Sequence, residues 1–176
     1  MTSTGRPMST NNCRREGMAK SWTFGPAWRA GQRCLIPARM FQEPYWGPYE
    51  APFAKSIAWH FERADGMPWA LAGLYSEWTD RETGEVVPNY TMLTQNCDAH
   101  PLMKLMHKPE KDMAGVMLPL DKQDKRSVVP IEPKHWDAWL HGSVEQAEAL
   151  IGLPDLECIR HRAVDAARQI DLPIQL

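Results

Sequence analysis

The sequence predicts an α+β fold built on antiparallel strands, and three observations carry that expectation. Fifteen prolines in 176 residues cut the chain into short elements and shaped loops, which excludes a helix bundle. Apolar and aromatic runs over 33–37, 57–61, 69–78 and 89–94 alternate with turn residues, notably Gly66-Met67-Pro68 and the 79–85 segment with Gly84. Helical periodicity is confined to short stretches between and after these runs.

Taken in order, residues 1–11 read as a flexible lead-in and 12–176 as a single domain. Residues 16–28 have mixed helical character interrupted at Gly25-Pro26. The compact run Arg33-Cys34-Leu35-Ile36-Pro37 predicts a short buried strand, and 40–46 continues into another. Strands over 57–61, 69–78 and 89–94 suggest an antiparallel meander. Residues 99–107 predict a helix with Leu102, Leu105 and Met106 on one face, and 108–125 a charged, extended surface loop. A strand over 128–131 follows. Trp136, Trp139 and Leu140, spaced i, i+3 and i+4, give the 133–140 helix an apolar stripe. Ser143-Val144-Glu145-Gln146 fits a capping box opening the next helix, and 156–159 predicts a late strand.

Composition bounds the function classes. Apolar residues at 43% and charged residues at 24% are ordinary for a globular protein. The first ten residues are polar and small, so no secretory leader or membrane anchor is expected. Four widely spaced cysteines suit a reduced, cytoplasmic protein. Net charge is −2, yet up to Gln42 seven basic residues face only Glu16, a surplus of +6 that leaves −8 for the rest. A basic front on an acidic body suits phosphate contacts without indiscriminate nucleic-acid affinity. A solvated basic face accounts for the same charges.

Three segments carry a family resemblance. Asn12-Cys13-Arg14-Arg15-Glu16 is similar to an Asn-Ala-Arg-x-Glu signature. Arg33-Cys34-Leu35-Ile36-Pro37-Ala38, followed by Phe41-Gln42-Glu43, resembles an Arg-Cys-Leu-x-Pro-Ala strand leading to Phe-Tyr-Glu-Trp. Met106-His107-Lys108-Pro109 resembles a helix-ending histidine before a strand. Their order is that of the SOS-response-associated peptidase (SRAP) family. The resemblance implies curved antiparallel strands, partly barrel-like, with peripheral helices. It also implies a monomer that binds single-stranded DNA and processes abasic sites through a covalent DNA–protein crosslink, with autoproteolytic, peptidase-like activity. No metal, cofactor or membrane is implied.

On that resemblance Asn12 would hold the opened sugar through its amide. Glu43 would shuttle protons from a buried position, and His107 would act as acid or base beside the sugar. Arg14 and Arg126 would bind backbone phosphate. In the family, an N-terminal cysteine closes a thiazolidine on the sugar aldehyde. Here Met1-Thr2-Ser3 stands in place of Met-Cys-Gly-Arg, and Gln42 and Pro44 replace aromatic residues.

Three other readings remain open. One is a truncated, catalytically silent remnant that binds single-stranded DNA non-covalently, with Trp22, Trp28 and Trp46 as stacking platforms. Another is a cysteine hydrolase using Cys13 or Cys34 with His107. The last is a zinc site built from Cys97/His100 and Cys158/His161.

Overall fold

The structure is a computed structural model that describes residues 9–174. Among the described residues, eight strands and four short helices follow in the order β1 (Asn12–Arg14), α1 (Arg15–Met18), α2 (Gly25–Arg29), β2 (Arg33–Ala38), β3 (Phe41–Tyr45), β4 (Ile57–Arg63), β5 (Trp69–Thr79), β6 (Val86–Asn96), β7 (Arg126–Val128), α3 (Trp136–His141), α4 (Val144–Ala149) and β8 (Ile159–Ala163). The α+β class is as predicted. The strands form two open sheets, and neither closes into a barrel.

The chain divides into two compact units, each assembled from three separate stretches. The first comprises residues up to Ile36, Ala70–Gln95 and Val128–Gly152; the second comprises Pro37–Trp69, Asn96–Ser127 and the chain from Leu153 on.

The first unit is organised on the sheet β1-β6-β5-β2. The long β5–β6 hairpin is antiparallel, with Tyr75 opposite Tyr90. Against the expectation of purely antiparallel pairing, β1 runs parallel to β6, Asn12 opposite Met92 and Arg14 opposite Thr94. Helices α1 and α2 and strands β2 to β5 separate β1 from β6 in sequence, and parallel neighbours need such a long connection. Cys13, Trp28, Ala72, Leu74, Leu93 and Trp139 fill its core. Trp28 is 2% exposed, so it is a core residue and not a stacking platform.

Arg33 is buried among these aromatics. Its guanidinium lies 5.8 Å from the Trp28 ring and 6.0 Å from the Trp139 ring, and donates to the backbone carbonyls of Trp139 and Gly142. The Trp139 indole N–H in turn donates to the Cys34 carbonyl, 2.9 Å. The strand Arg33-Cys34 is thereby stitched to α3. Gly25-Pro26 opens α2 instead of breaking a longer helix, because proline's missing N–H costs nothing in the first turn. The capping box at Ser143 and Gln146 forms as the spacing predicts, with Oγ accepting from Gln146 N at 3.2 Å.

The second unit is built on the sheet β3-β4-β8. The predicted meander is therefore corrected, since β4 pairs with β3 and β8. Strand β4 alternates strictly, burying Ile57, Trp59, Phe61 and Arg63. Phe41 stacks on Phe61 at 5.1 Å, and Tyr45 meets Trp59 edge-on at 5.7 Å. The helix expected over 99–107 is only a 3-10 turn at Met103–Leu105, and Leu102, Met103 and Met106 are the residues it buries. His100 opens this turn, its Nδ1 accepting from the N–H groups of Leu102 and Met103, and Met106 ends it by turning extended to bridge Tyr45. Residues 156–158 are likewise a 3-10 turn, and the strand begins at Ile159.

Candidate active site

Strand alternation turns Glu43 inward, leaving its side chain 15% exposed. On β3 it shares a face with Phe41 and Tyr45, and it lies directly opposite Trp59, which has no exposed surface. An ionised carboxylate between aromatic neighbours loses hydration, so burial lifts the Glu43 pKa from 4.5 to about 7. A glutamate on the inward face of an aromatic strand is thus poised to carry a proton near neutral pH.

His107 is brought to it by backbone contacts. Met106 forms an isolated bridge with Tyr45, and the His107 N–H donates to the Pro44 carbonyl, 2.7 Å. The residue holds φ = 64°, a left-handed conformation uncommon for anything but glycine. This turn places its Nε2 3.3 Å from Glu43 Oε2 and 2.7 Å from the Arg126 carbonyl. A carbonyl only accepts, so the neutral ring carries its proton on Nε2 and keeps a lone pair on Nδ1. Desolvation lowers the His107 pKa, outweighing the bond to Arg126 O, with the charge of Lys125 pushing the same way as burial. Around pH 7 Glu43 is therefore half-protonated beside a neutral imidazole, and the two do not form a fixed ion pair.

The segment carrying Arg126 is clamped from behind. Asp98 accepts from the backbone N–H groups of Asp124 (3.0 Å) and Lys125 (2.8 Å), and Cys97 N–H donates to the Lys125 carbonyl, 2.8 Å. Arg126, expected to bind phosphate, has a side chain only 16% exposed and is paired with Asp124 at 3.2 Å. Its backbone carbonyl orients His107, which is a positioning task.

Lys125 was not singled out from the sequence, where it reads as one more charge in Asp124-Lys125-Arg126. Its side chain is buried, and Nζ donates to the His107 carbonyl at 2.6 Å. Burial, partly offset by Cys97, Asp98 and Glu110, lowers its pKa from 10.5 to about 8. Lys125 and His107 line a cavity of about 300 Å³ with Tyr49, Lys104, Leu105 and Pro109. A larger cavity of about 670 Å³ occurs in the first unit along α1 and α4, walled by Met18, Trp28 and Val144, and none of the predicted site residues lines it.

Asn12 and Arg14 belong to the first unit, both exposed on β1 and flanking the buried Cys13. Glu43, His107 and Arg126 belong to the second, where the contacts above bring them together.

Cys13, Cys34 and Cys97 are held as thiols. Burial pushes the thiols of Cys13 and Cys97 up to about 12 and raises that of Cys34. Among the described residues no three His, Cys, Asp or Glu side chains cluster as metal ligands. His100 donates from Nε2 to Pro154 O, and His161 accepts from the Trp59 indole. No helix among the described residues is long and apolar enough to cross a membrane.

Residues 2–167 match the family described as SOS response associated peptidase (SRAP). A Bordetella bronchiseptica protein of known structure is 31% identical, with a TM-score of 0.72 over 88% of this chain and 64% of that one. A Bacteroides thetaiotaomicron protein is 17% identical, with a TM-score of 0.65 over 88% and 58%. A phage-related protein of Bordetella bronchiseptica is 18% identical, with a TM-score of 0.58 over 91% and 66%. The last two likenesses are of fold. The chain spans between 58% and 66% of the length of these three proteins. No curated protein matches it.

Proposed function

The chain belongs to the SOS response associated peptidase (SRAP) family, and on that premise we propose that it binds single-stranded DNA and processes abasic sites through a covalent DNA–protein adduct. The peptidase-like activity in the family's description belongs to the same proposal, as does action as a monomer in the cytoplasm. The observation that supports this reading is the Glu43–His107 contact at 3.3 Å, which sets a carboxyl that burial brings to a pKa of about 7 beside a neutral imidazole.

An abasic deoxyribose opens to an aldehyde, and addition of a nucleophile to that carbon requires a proton to reach the carbonyl oxygen. Glu43, half-protonated near neutrality, supplies and recovers it. His107 keeps Nδ1 as a base, with Nε2 committed to the Arg126 carbonyl. Asn12 and Arg14, exposed on β1, are assigned contacts to the sugar and to the phosphate backbone.

The test is a single-stranded oligonucleotide carrying one excised uracil, compared with its undamaged counterpart. Native gels read retention and denaturing gels read adduct or strand cleavage. Processing of the abasic strand alone is expected, falling about a hundredfold or more in Glu43→Gln. Equal retention of both strands with no processing of either would sink the proposal.

A further inference from the structure

Resting on that reading, we propose that Lys125 is the amine this site presents to the aldehyde of an opened abasic sugar, joining protein to DNA through an imine. Three features of the structure single it out. Its side chain is buried and shares a cavity of about 300 Å³ with His107. Its Nζ is held 2.6 Å from the carbonyl of the same residue whose ring meets Glu43. Its backbone is pinned on both sides, by Asp98 and by Cys97 N–H, so the side chain springs from a fixed point. Its hydrogen-bond partner is a neutral carbonyl, and the carboxylates of Asp98 and Glu110 act on it through their charge.

The protonation state agrees with the geometry. With a pKa of about 8, roughly one Lys125 in ten is neutral at pH 7, against about one in three thousand for an ordinary lysine. Cys97, Asp98 and Glu110 all act to keep the proton on, so desolvation is the dominant cause. A neutral amine keeps two N–H donors, enough to retain the His107 carbonyl, and gains the lone pair that addition needs.

The chemistry closes without any co-reactant. The Nζ lone pair forms a bond to the aldehyde carbon while the carbonyl oxygen takes a proton. The carbinolamine then expels that oxygen as water, which carries away the two protons Nζ gives up, and the C=N bond forms. The Glu43–His107 pair lends and recovers the proton moved in each step. No thiol takes part, in keeping with the buried and protonated state of Cys13 and Cys97.

The experiment is reductive trapping. The full chain is incubated with the uracil-excised single strand and sodium cyanoborohydride, which reduces an imine to a stable secondary amine. The adduct is isolated on a denaturing gel, digested and mapped by mass spectrometry. Attachment at Lys125 is expected. Lys104, on the wall of the same cavity, is the internal control. Lys125→Arg keeps a cationic donor for the His107 carbonyl but forms no imine, so trapped adduct should fall about tenfold or more while native-gel retention is maintained.

Attachment at Lys104 or at the chain's terminal amine overturns the inference and leaves the abasic-site function standing. So does undiminished trapping in Lys125→Arg, or retention of the abasic strand with no trapped adduct. Failure of the wild-type chain to retain or process the abasic strand overturns both.

Discussion

Replacing Glu43 with glutamine tests the burial on which the site depends, independently of any DNA. Glutamine keeps the shape and an oxygen to accept from His107 Nε2, but it cannot ionise. In the folded protein the carboxyl pKa is about 7, raised from 4.5 by desolvation. Below pH 4.5 the carboxyl is protonated in both the folded and the unfolded chain, and its neutral burial contributes in full. As pH rises from 4.5 towards 7 the unfolded chain releases the proton first, so stability is lost through that window and is constant above it. At about 1.4 kcal/mol for each pH unit between the two values, the loss is ~3 kcal/mol. Glu43→Gln does not share it.

Urea unfolding of both proteins at several pH values between 4 and 9 measures the effect, because contributions from all other titrating groups cancel in the difference. The variant should match the wild type within about 1 kcal/mol at pH 4 and exceed it by about 3 kcal/mol at pH 8. Parallel stability curves would show that the carboxyl is hydrated in solution, and the proton-carrying role would fall with it.

Lys125→Met should flatten a rise in stability between pH 8 and 10.5, where the unfolded chain holds the lysine proton that the folded chain has lost; the same urea titration reads it. Ser143→Ala removes one half of the capping box and should cost ~1 kcal/mol in unfolding free energy with abasic-strand processing unchanged. Gly73→Ala places a Cβ 2.8 Å from Cys34 Sγ and 2.9 Å from the Thr91 carbonyl, and should destabilise by about 1–3 kcal/mol in thermal or chemical unfolding. Iodoacetamide at pH 8 should leave Cys13 and Cys97 unlabelled in the native protein and label them once urea is added; rapid native labelling would contradict their burial.

Short-range pattern accounts for what was legible without coordinates. The strands over 33–37, 57–61 and 69–78 and the Ser143 cap depend on alternation, turn residues and a four-residue motif, all of which act within a few positions. The helix expected over 99–107 failed because Met106 turns extended to bridge Tyr45, a partner that local periodicity does not reveal. The meander failed because the pattern of a strand says which face it buries and not which neighbour it pairs.

By itself, then, the sequence determined the α+β class, the short-element grammar and the family resemblance, and it put Glu43 and His107 forward as candidates. Only the tertiary structure decided their chemistry. Whether a glutamate is an ordinary acid or a neutral-pH proton carrier depends on which rings exclude water from it, and Trp59 reaches Glu43 only through the β3–β4 register. Lys125 likewise becomes distinctive only when residues far off in sequence, Asp98 and His107, fix its backbone and receive its amine. Desolvation is a property of the assembled surroundings, and no local string of residues encodes it.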